Sequence, residues 1–232
     1  MQVPHPRLYM YVVARDFGFA PNPFHGACTL ACCKPAIRST AQVGDWIVGM
    51  GGSKLKAAGQ CAFAMQVTQT MSFEEYWADP EFCAKRPVRN GSRKMMIGDN
   101  IYSRENEDVA WEQLNSHHSQ PDGRPDASNI ERDTSTNRVL ISKHFIYFGE
   151  GAPEVPGGIL EAIGYENRIG HRVYPLVEAE ALLDWVVSEC EGDFNRVVGD
   201  PFQFRLSGAR YSVGSNRIEN LTVLPPGIVD FI

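Results

Sequence analysis

No stretch of about 18 apolar residues occurs in this chain of 232, so a membrane-spanning helix is not expected. Met1 to Pro6 hold two prolines and no apolar core of a secretory leader, and a cytoplasmic protein without a membrane partner is the expectation. Positive charge is scarce: 22 Lys and Arg stand against 28 Asp and Glu, a formal net charge of -6. There is thus no global pull toward a nucleic-acid backbone, which needs clustered cations. Contact with DNA has to be local, and a nucleotide or a single extruded base suits this surface better than a long duplex. Glycine-rich phosphate loops of the P-loop or Rossmann type are missing, which argues against an ATP or NAD site of those kinds. Six cysteines, with Cys28, Cys32 and Cys33 close together, do not resemble the framework of a small secreted domain and are read as reduced thiols. Internal repeats and low-complexity tracts are also lacking.

The 43% of hydrophobic residues that remain suffice for a sizeable core, and one domain over 1–232 is the economical organisation. Arg7 to Ala14, rich in β-branched and aromatic residues, reads as a buried first strand. It runs into a stiff loop punctuated by Gly18, Pro21, Asn22, Pro23 and Gly26. Gly44 to Gly52 and Cys61 to Thr70 read as a turn-strand and its returning partner. Ser72 with Glu75 has the spacing of a capping box, predicting a short helix from Phe73 that stops by Pro80. From Asp79 to Asn137 the chain is polar and broken by Pro and Gly. Ordered loops of this length tend to carry function, and this one is expected to form half of a binding site.

Arg138 to Ser142 and Phe145 to Phe148 then suggest a strand pair or one interrupted strand. Val177, Ala181, Leu182, Trp185 and Val186 recur at helical spacing. After Gly192 no regular pattern stands out. More strand than helix, with helices between strand pairs, predicts an α+β fold built on a mixed or antiparallel sheet, with inserted helices and long ordered loops.

Five constellations carry chemistry. His25, Cys28, Cys32 or Cys33, with His117 or His118, have the ligand types of zinc but poor spacing, so metal is the disfavoured reading, buried thiols packing as small hydrophobes the favoured one. Cys28 or Cys33 next to a histidine or Lys34 would make a nucleophile, although no flanking signature marks either. Ser116-His117-His118-Ser119 offers a general acid or base, and only one of two adjacent histidines faces a given ligand. Arg15 and Asp16 end the first strand opposite Asn22, an arrangement suited to phosphate and base edge, or else to a loop-pinning salt bridge. Arg86, Arg89, Arg93 and Lys94 form the dense basic cluster, with Tyr76, Trp77, Tyr102 and Trp111 near it in sequence as stacking surfaces or as core.

Several of these residues sit in longer patterns. Tyr11-Val-Val-Ala-Arg-Asp-Phe-Gly-Phe-Ala-Pro-Asn-Pro-Phe24, Cys28, Lys34-Pro35 and Val43-Gly-Asp-Trp46 resemble the family called nucleotide modification associated domain 2. So do Ser72 to Trp77, Gly91 to Lys94, Gly98 to Tyr102, Ser116 to Ser119, Asp133-Thr134 and Arg138 to Ser142, in the same order, giving a family-like core over 7–200 and a C-terminal extension over 201–232. The resemblance implies an association with bacterial and phage gene sets that hypermodify DNA bases. It transfers no catalytic residues. A weaker similarity of Gly44 to Trp77 to PUA-like domains, some of which cradle a modified base, implies a β-barrel core as the alternative form of the fold.

The expected function is therefore binding of a modified base or nucleotide, free or within DNA, with Arg15, Asp16, Asn22, Trp46, Trp77, Arg93, Lys94 and Tyr102 as the ligand-binding set. The alternative is a hydrolase or transferase acting on such a ligand, with His117, His118 and Asp99 in acid and base roles.

Overall fold

Along β1 (Arg7–Val13), successive side chains point to opposite faces of a sheet, and both faces are covered. Leu8 and Met10 enter one hydrophobic cluster, while Tyr9, Tyr11 and Val13 enter another. That explains the nearly continuous apolar run in the sequence. The computed structural model describes residues 5–219.

The remaining strands are β2 (Cys28–Leu30), β3 (Trp46–Gly51), β4 (Cys61–Gln66), β5 (Gln69–Met71), β6 (Tyr102–Ser103), β7 (Glu112–Gln113), β8 (Val139–Ser142), β9 (His144–Tyr147), β10 (His171–Pro175), β11 (Arg196–Val197), β12 (Arg210–Ser212) and β13 (Arg217–Glu219). The α-helices are α1 (Pro35–Thr40), α2 (Phe73–Ala78), α3 (Arg93–Met96), α4 (Ala127–Thr134), α5 (Gly157–Ala162) and α6 (Glu180–Glu189). The main sheet has the order β10-β1-β3-β4-β9-β11; β1 runs parallel to β3, and β9 to β11, the other neighbours being antiparallel. A smaller antiparallel sheet, β2-β8-β5, packs on the Tyr9 and Tyr11 face, and α6 covers the opposite face through Leu182 and Val186.

The fold is therefore α+β on a mixed sheet. Of the two expected forms, this is the open sheet: β10 and β11 are its edges, and no pairing among the described residues closes it into a barrel. None of the described helices is long and apolar enough to cross a membrane.

The local signals match in detail at the capping box. Glu75 N donates to Ser72 Oγ at 3.1 Å, Ser72 N donates to Glu75 Oε2 at 2.7 Å, and α2 ends before Pro80. The two apolar runs around Lys143 are separate strands in different sheets, β8 in the small one and β9 in the main one. Two expectations are corrected. Val177 precedes α6 in a tight turn and is 71% exposed, because the helix buries only the stripe that meets the sheet. The region after Gly192 contains three short strands of two or three residues, β11 paired with distant β9 and β12 with β13 in a hairpin, too short to leave a clear periodicity. Residues 220–232 of the expected C-terminal extension lie outside the described residues.

Arg38, in α1, is fully buried and, among the described residues, has no carboxylate hydrogen-bonded to its guanidinium. It donates to backbone carbonyls instead: Cys33 at 2.9 Å, Thr136 at 3.1 Å, Arg138 at 2.6 Å, and Asp133. It thereby ties the turn before α1 to the end of α4. Orphaning several buried carbonyls is expensive, so Arg38→Met should lower the free energy of unfolding by about 3 kcal/mol or more, read by urea denaturation.

Candidate functional site

The loop after β1 is shaped by Gly18, whose φ of +76° is open to glycine and strained for other residues. A Cβ there would stand 2.7 Å from Pro201 Cγ. The resulting bend brings both Phe17 and Phe19 against His117, with ring centroids 4.6 and 5.1 Å away, and Phe19 lies 4.6 Å from the His118 ring. These rings belong to one pocket of about 180 Å³, whose wall also includes Tyr11, Arg15, Cys33, Lys34, Asn129, Arg132, Tyr211 and Val213. A space of that size suits one ring system and falls far short of a stretch of duplex.

Cys33 and Lys34 occupy the turn before α1 with φ of +59° and +43°, an uncommon conformation for two consecutive non-glycine residues. The turn is over-determined from behind. Cys33 N donates to Asp133 Oδ1 at 2.7 Å, and the Cys33 carbonyl accepts from Arg38 Nε. The sulfur is consequently presented to His118, with Sγ to Nε2 at 3.6 Å. The other nitrogen, Nδ1, pairs with Asp133 Oδ2 at 2.7 Å, an oxygen that also accepts from Tyr102 Oη at 2.9 Å. Cys33, His118 and Asp133 thus form a continuous thiol–imidazole–carboxylate relay with its sulfur end in the pocket wall.

The adjacent histidines differ because their partners differ. Burial disfavours charge on both. For His118, the Asp133 carboxylate and Cys33 override it and raise the pKa from 6.5 to about 10. For His117, burial is reinforced by His118, and the pKa falls well below 6.5 despite the hydrogen bond to Ala209. His117 Nδ1 lies 2.7 Å from the Ala209 carbonyl, which can only accept. The proton is therefore on Nδ1, leaving Nε2 as an acceptor with no hydrogen-bond partner among the described residues.

Three cations line this pocket. Arg15 lies over the Tyr211 ring at 4.8 Å and contacts Asn216 Oδ1 at 3.5 Å. Lys34 Nζ lies 4.1 Å from the Tyr11 centroid, and burial lowers its pKa. Arg132 is exposed at the rim. Among the described residues none of the three has a carboxylate partner.

The other sequence-predicted residues fall elsewhere. Asp16, next to Arg15, points inward and accepts from Tyr147 Oη, Gly18 N and Phe202 N. Asn22 is buried, its side-chain and backbone oxygens taking Lys85 Nζ at 2.9 and 3.0 Å. Asp99 is sealed off from the pocket wall, accepting from Thr29 Oγ1 at 2.7 Å and Tyr76 Oη at 2.8 Å, and burial raises its pKa. Trp46 lies in the cluster on the α6 face of the main sheet, and Trp77 stacks under Arg86 at 4.0 Å. Lys94 lies over Phe24, and Arg93 is half-exposed on α3; neither lines the pocket. Tyr102 stays out of the pocket wall and reaches the site through Asp133 and through Gln113, whose amide donates to Tyr102 Oη and to the His118 carbonyl. Cys28 is buried with its pKa pushed upward, facing Met65, and His25 is held near a pKa of about 4, first by burial and then by Lys85 and Lys94.

The zinc set of His25, Cys28, Cys32 and Cys33, the disfavoured reading of the sequence, does not gather as a group among the described residues. Among the described residues, one cluster could hold a metal: Cys32, His118 and Asp133, with donor atoms within 4.8 Å of one another. His118 Nδ1 and Asp133 Oδ2 are hydrogen-bonded to each other, and Cys32 Sγ contacts the Asp99 carbonyl at 3.5 Å, so a metal would have to displace these bonds. Asn129, Arg132, Tyr211 and the role of Asp133 went unassigned in the sequence, whereas Cys33 beside a histidine was one of two thiols weighed there, with His118 now the histidine in contact. Only Asp133-Thr134, noted as a pattern, pointed toward them.

Comparison with known proteins gives one match. The sequence pattern described as "nucleotide modification associated domain 2" covers residues 5–208. The chain belongs to this family. No curated protein and no solved structure matches it. Membership associates the chain with nucleotide modification, and the matched stretch contains the whole Cys33–His118–Asp133 relay of this family member.

A group whose pKa rises on folding lends stability that is complete below its unfolded value and disappears as pH climbs through the folded one. For His118 that window runs from 6.5 to about 10. The stability gap between the native chain and His118→Gln should therefore be widest near pH 6 and shrink steadily toward pH 10, as measured by urea denaturation across that range.

Proposed function

We propose that the pocket binds a nucleotide or modified nucleobase, with its ring among Tyr11, Phe17, Phe19 and Tyr211 and its anionic part toward Arg15, Lys34 and Arg132. The observation that carries this reading is the convergence of three cations, without carboxylate partners among the described residues, on an aromatic pocket in a chain of net charge -6. His117 Nε2, an acceptor, suits an N–H of a base edge. The pocket's size and the absence of a broad basic face favour a free nucleotide or one extruded base over duplex DNA. Family membership supports the ligand class and leaves the individual base open.

A second reading, an enzyme acting on the same ligand, is favoured by the contact of His118 with both Cys33 and Asp133. Here His118 would be the general acid or base, while Asp99 and His117 would help hold the site.

Isothermal titration with the nucleoside monophosphates and the matching free bases tests the binding reading. Arg15→Ala should weaken monophosphate binding by about tenfold or more, the value of one charge-assisted hydrogen bond, with little effect on a free base. Affinity should also fall with added salt. Absence of binding by all nucleotides and bases at millimolar concentration would sink the proposal.

A further inference from the structure

We propose that Cys33, His118 and Asp133 constitute a cysteine-nucleophile centre that removes an acyl group from an anionic, nucleotide-like substrate through a thioester on Cys33. The nucleotide half of this statement rests on the binding reading above; the nucleophile does not.

The geometry satisfies the requirements of covalent catalysis one by one. The sulfur lines the pocket, its backbone is pinned by Asp133 and Arg38, and its turn has two consecutive positive φ values. The neighbouring imidazole meets the sulfur through Nε2 and is oriented by a carboxylate through Nδ1, the division of labour of a nucleophile, its base and the group that orients the base. Beside the sulfur, Lys34 supplies a cation with no carboxylate partner among the described residues, placed to stabilise negative charge on an acyl oxygen. Cys28 and Cys32 do not open on the pocket: both are fully buried outside its wall, and burial raises the pKa of each.

The steps balance with water as the only co-reactant. The reacting form has Sγ as the thiolate and its proton on His118 Nε2, across the contact the two atoms make. Sγ bonds to the acyl carbon, the bond from that carbon to an amine or alcohol of the nucleotide breaks, and the leaving nitrogen or oxygen takes the proton from His118. Water then attacks the thioester and gives one proton to His118, releasing a carboxylic acid. The returning sulfur recovers its proton partner. The net reaction is hydrolysis of an amide or ester, and an amine in place of water would make it acyl transfer.

The test uses the full chain carrying Cys83→Ala, because Cys83 is an exposed thiol that would react independently. Para-nitrophenyl acetate is the acyl donor, and intact mass with peptide mapping locates the acetyl group. Cys33 should be acetylated at least tenfold faster than glutathione at pH 7, and His118→Gln should slow it by roughly a hundredfold, the usual contribution of a positioned acid–base group. Should His118→Gln fail to fold by circular dichroism, His118→Asn replaces it. Cys33→Ser should leave the fold intact and abolish the adduct.

Acetylation that nucleoside monophosphates suppress supports both the centre and the ligand class. Acetylation indifferent to every nucleotide supports the centre and removes the nucleotide from it. Cys33 reacting no faster than glutathione, reactivity indifferent to His118, or stoichiometric zinc in the purified protein would each overturn the centre, whatever the nucleotide titrations give.

Discussion

A carboxylate shut away from water must be matched by donors or it will be protonated, and Asp133, 1% exposed, meets that demand by pulling four parts of the chain together. Oδ1 takes the Cys33 amide; Oδ2 takes His118 Nδ1 and Tyr102 Oη. Arg38 adds its charge from behind, gripping the carbonyls of Asp133 and Cys33 together. The His118 charge lowers the Asp133 pKa against the effect of burial, and the carboxylate in turn raises that of His118. Each group keeps its partner ionised, and the strained turn at Cys33 persists because its amide and carbonyl are both committed to this network.

The same network accounts for the division of roles within the pocket. His118 is occupied at both nitrogens, so its position is fixed along the line from Asp133 to Cys33. His117, one residue earlier, is turned the other way and donates to the Ala209 carbonyl, with Phe17 and Phe19 against its ring. It stays neutral and offers a lone pair. Charge enters the pocket from another side, through Arg15, Lys34 and Arg132. A proton relay, an apolar ring surface and an anion-attracting rim are thereby separated over a few side chains, which is the separation a ligand with a flat ring and a charged tail requires.

Those parts of the fold set by local physics were legible in the sequence. The dense apolar pattern of β1 reflects two buried faces, the Ser72–Glu75 pair is a self-contained cap, and the Phe17-Gly18-Phe19 bend needs only glycine's freedom. The site was legible as a neighbourhood: the loop after β1 and the His117-His118 segment do meet. Its members were less so, because the choice among like residues is made by distant partners. Nothing in Cys28 and Cys33 distinguishes them until Asp133, a hundred residues on, is seen to hold one turn. Arg15 and Asp16 are neighbours in sequence yet face different worlds, one the pocket and the other Tyr147. The segment 79–137 read as polar loop because buried polar residues mimic surface ones: Lys85, Asp99 and Asn100 are all at most 1% exposed and serve as an internal scaffold.

The pocket is also completed by residues beyond the family-matched stretch, which ends at 208. Tyr211 and Val213, on and just after β12, form part of its wall, and they are held there by backbone bonds: Tyr211 N to the His117 carbonyl at 2.8 Å, Asn129 Nδ2 to the Tyr211 carbonyl at 2.6 Å, and Val213 N to Asn129 Oδ1 at 2.9 Å. Arg15 then leans on Tyr211 and on Asn216. The relay that gives the site its chemistry thus lies inside the matched residues, while the wall facing Arg15 is supplied by the hairpin that follows them. Main-chain bonds anchor that wall to His117 and Asn129, while the Tyr211 side chain faces Arg15 and His118. The wall nevertheless touches the relay at one point, where the Tyr211 ring lies 5.9 Å from the His118 ring, so the shape offered to a ligand and the placement of His118 are joined through a residue outside the family-matched stretch.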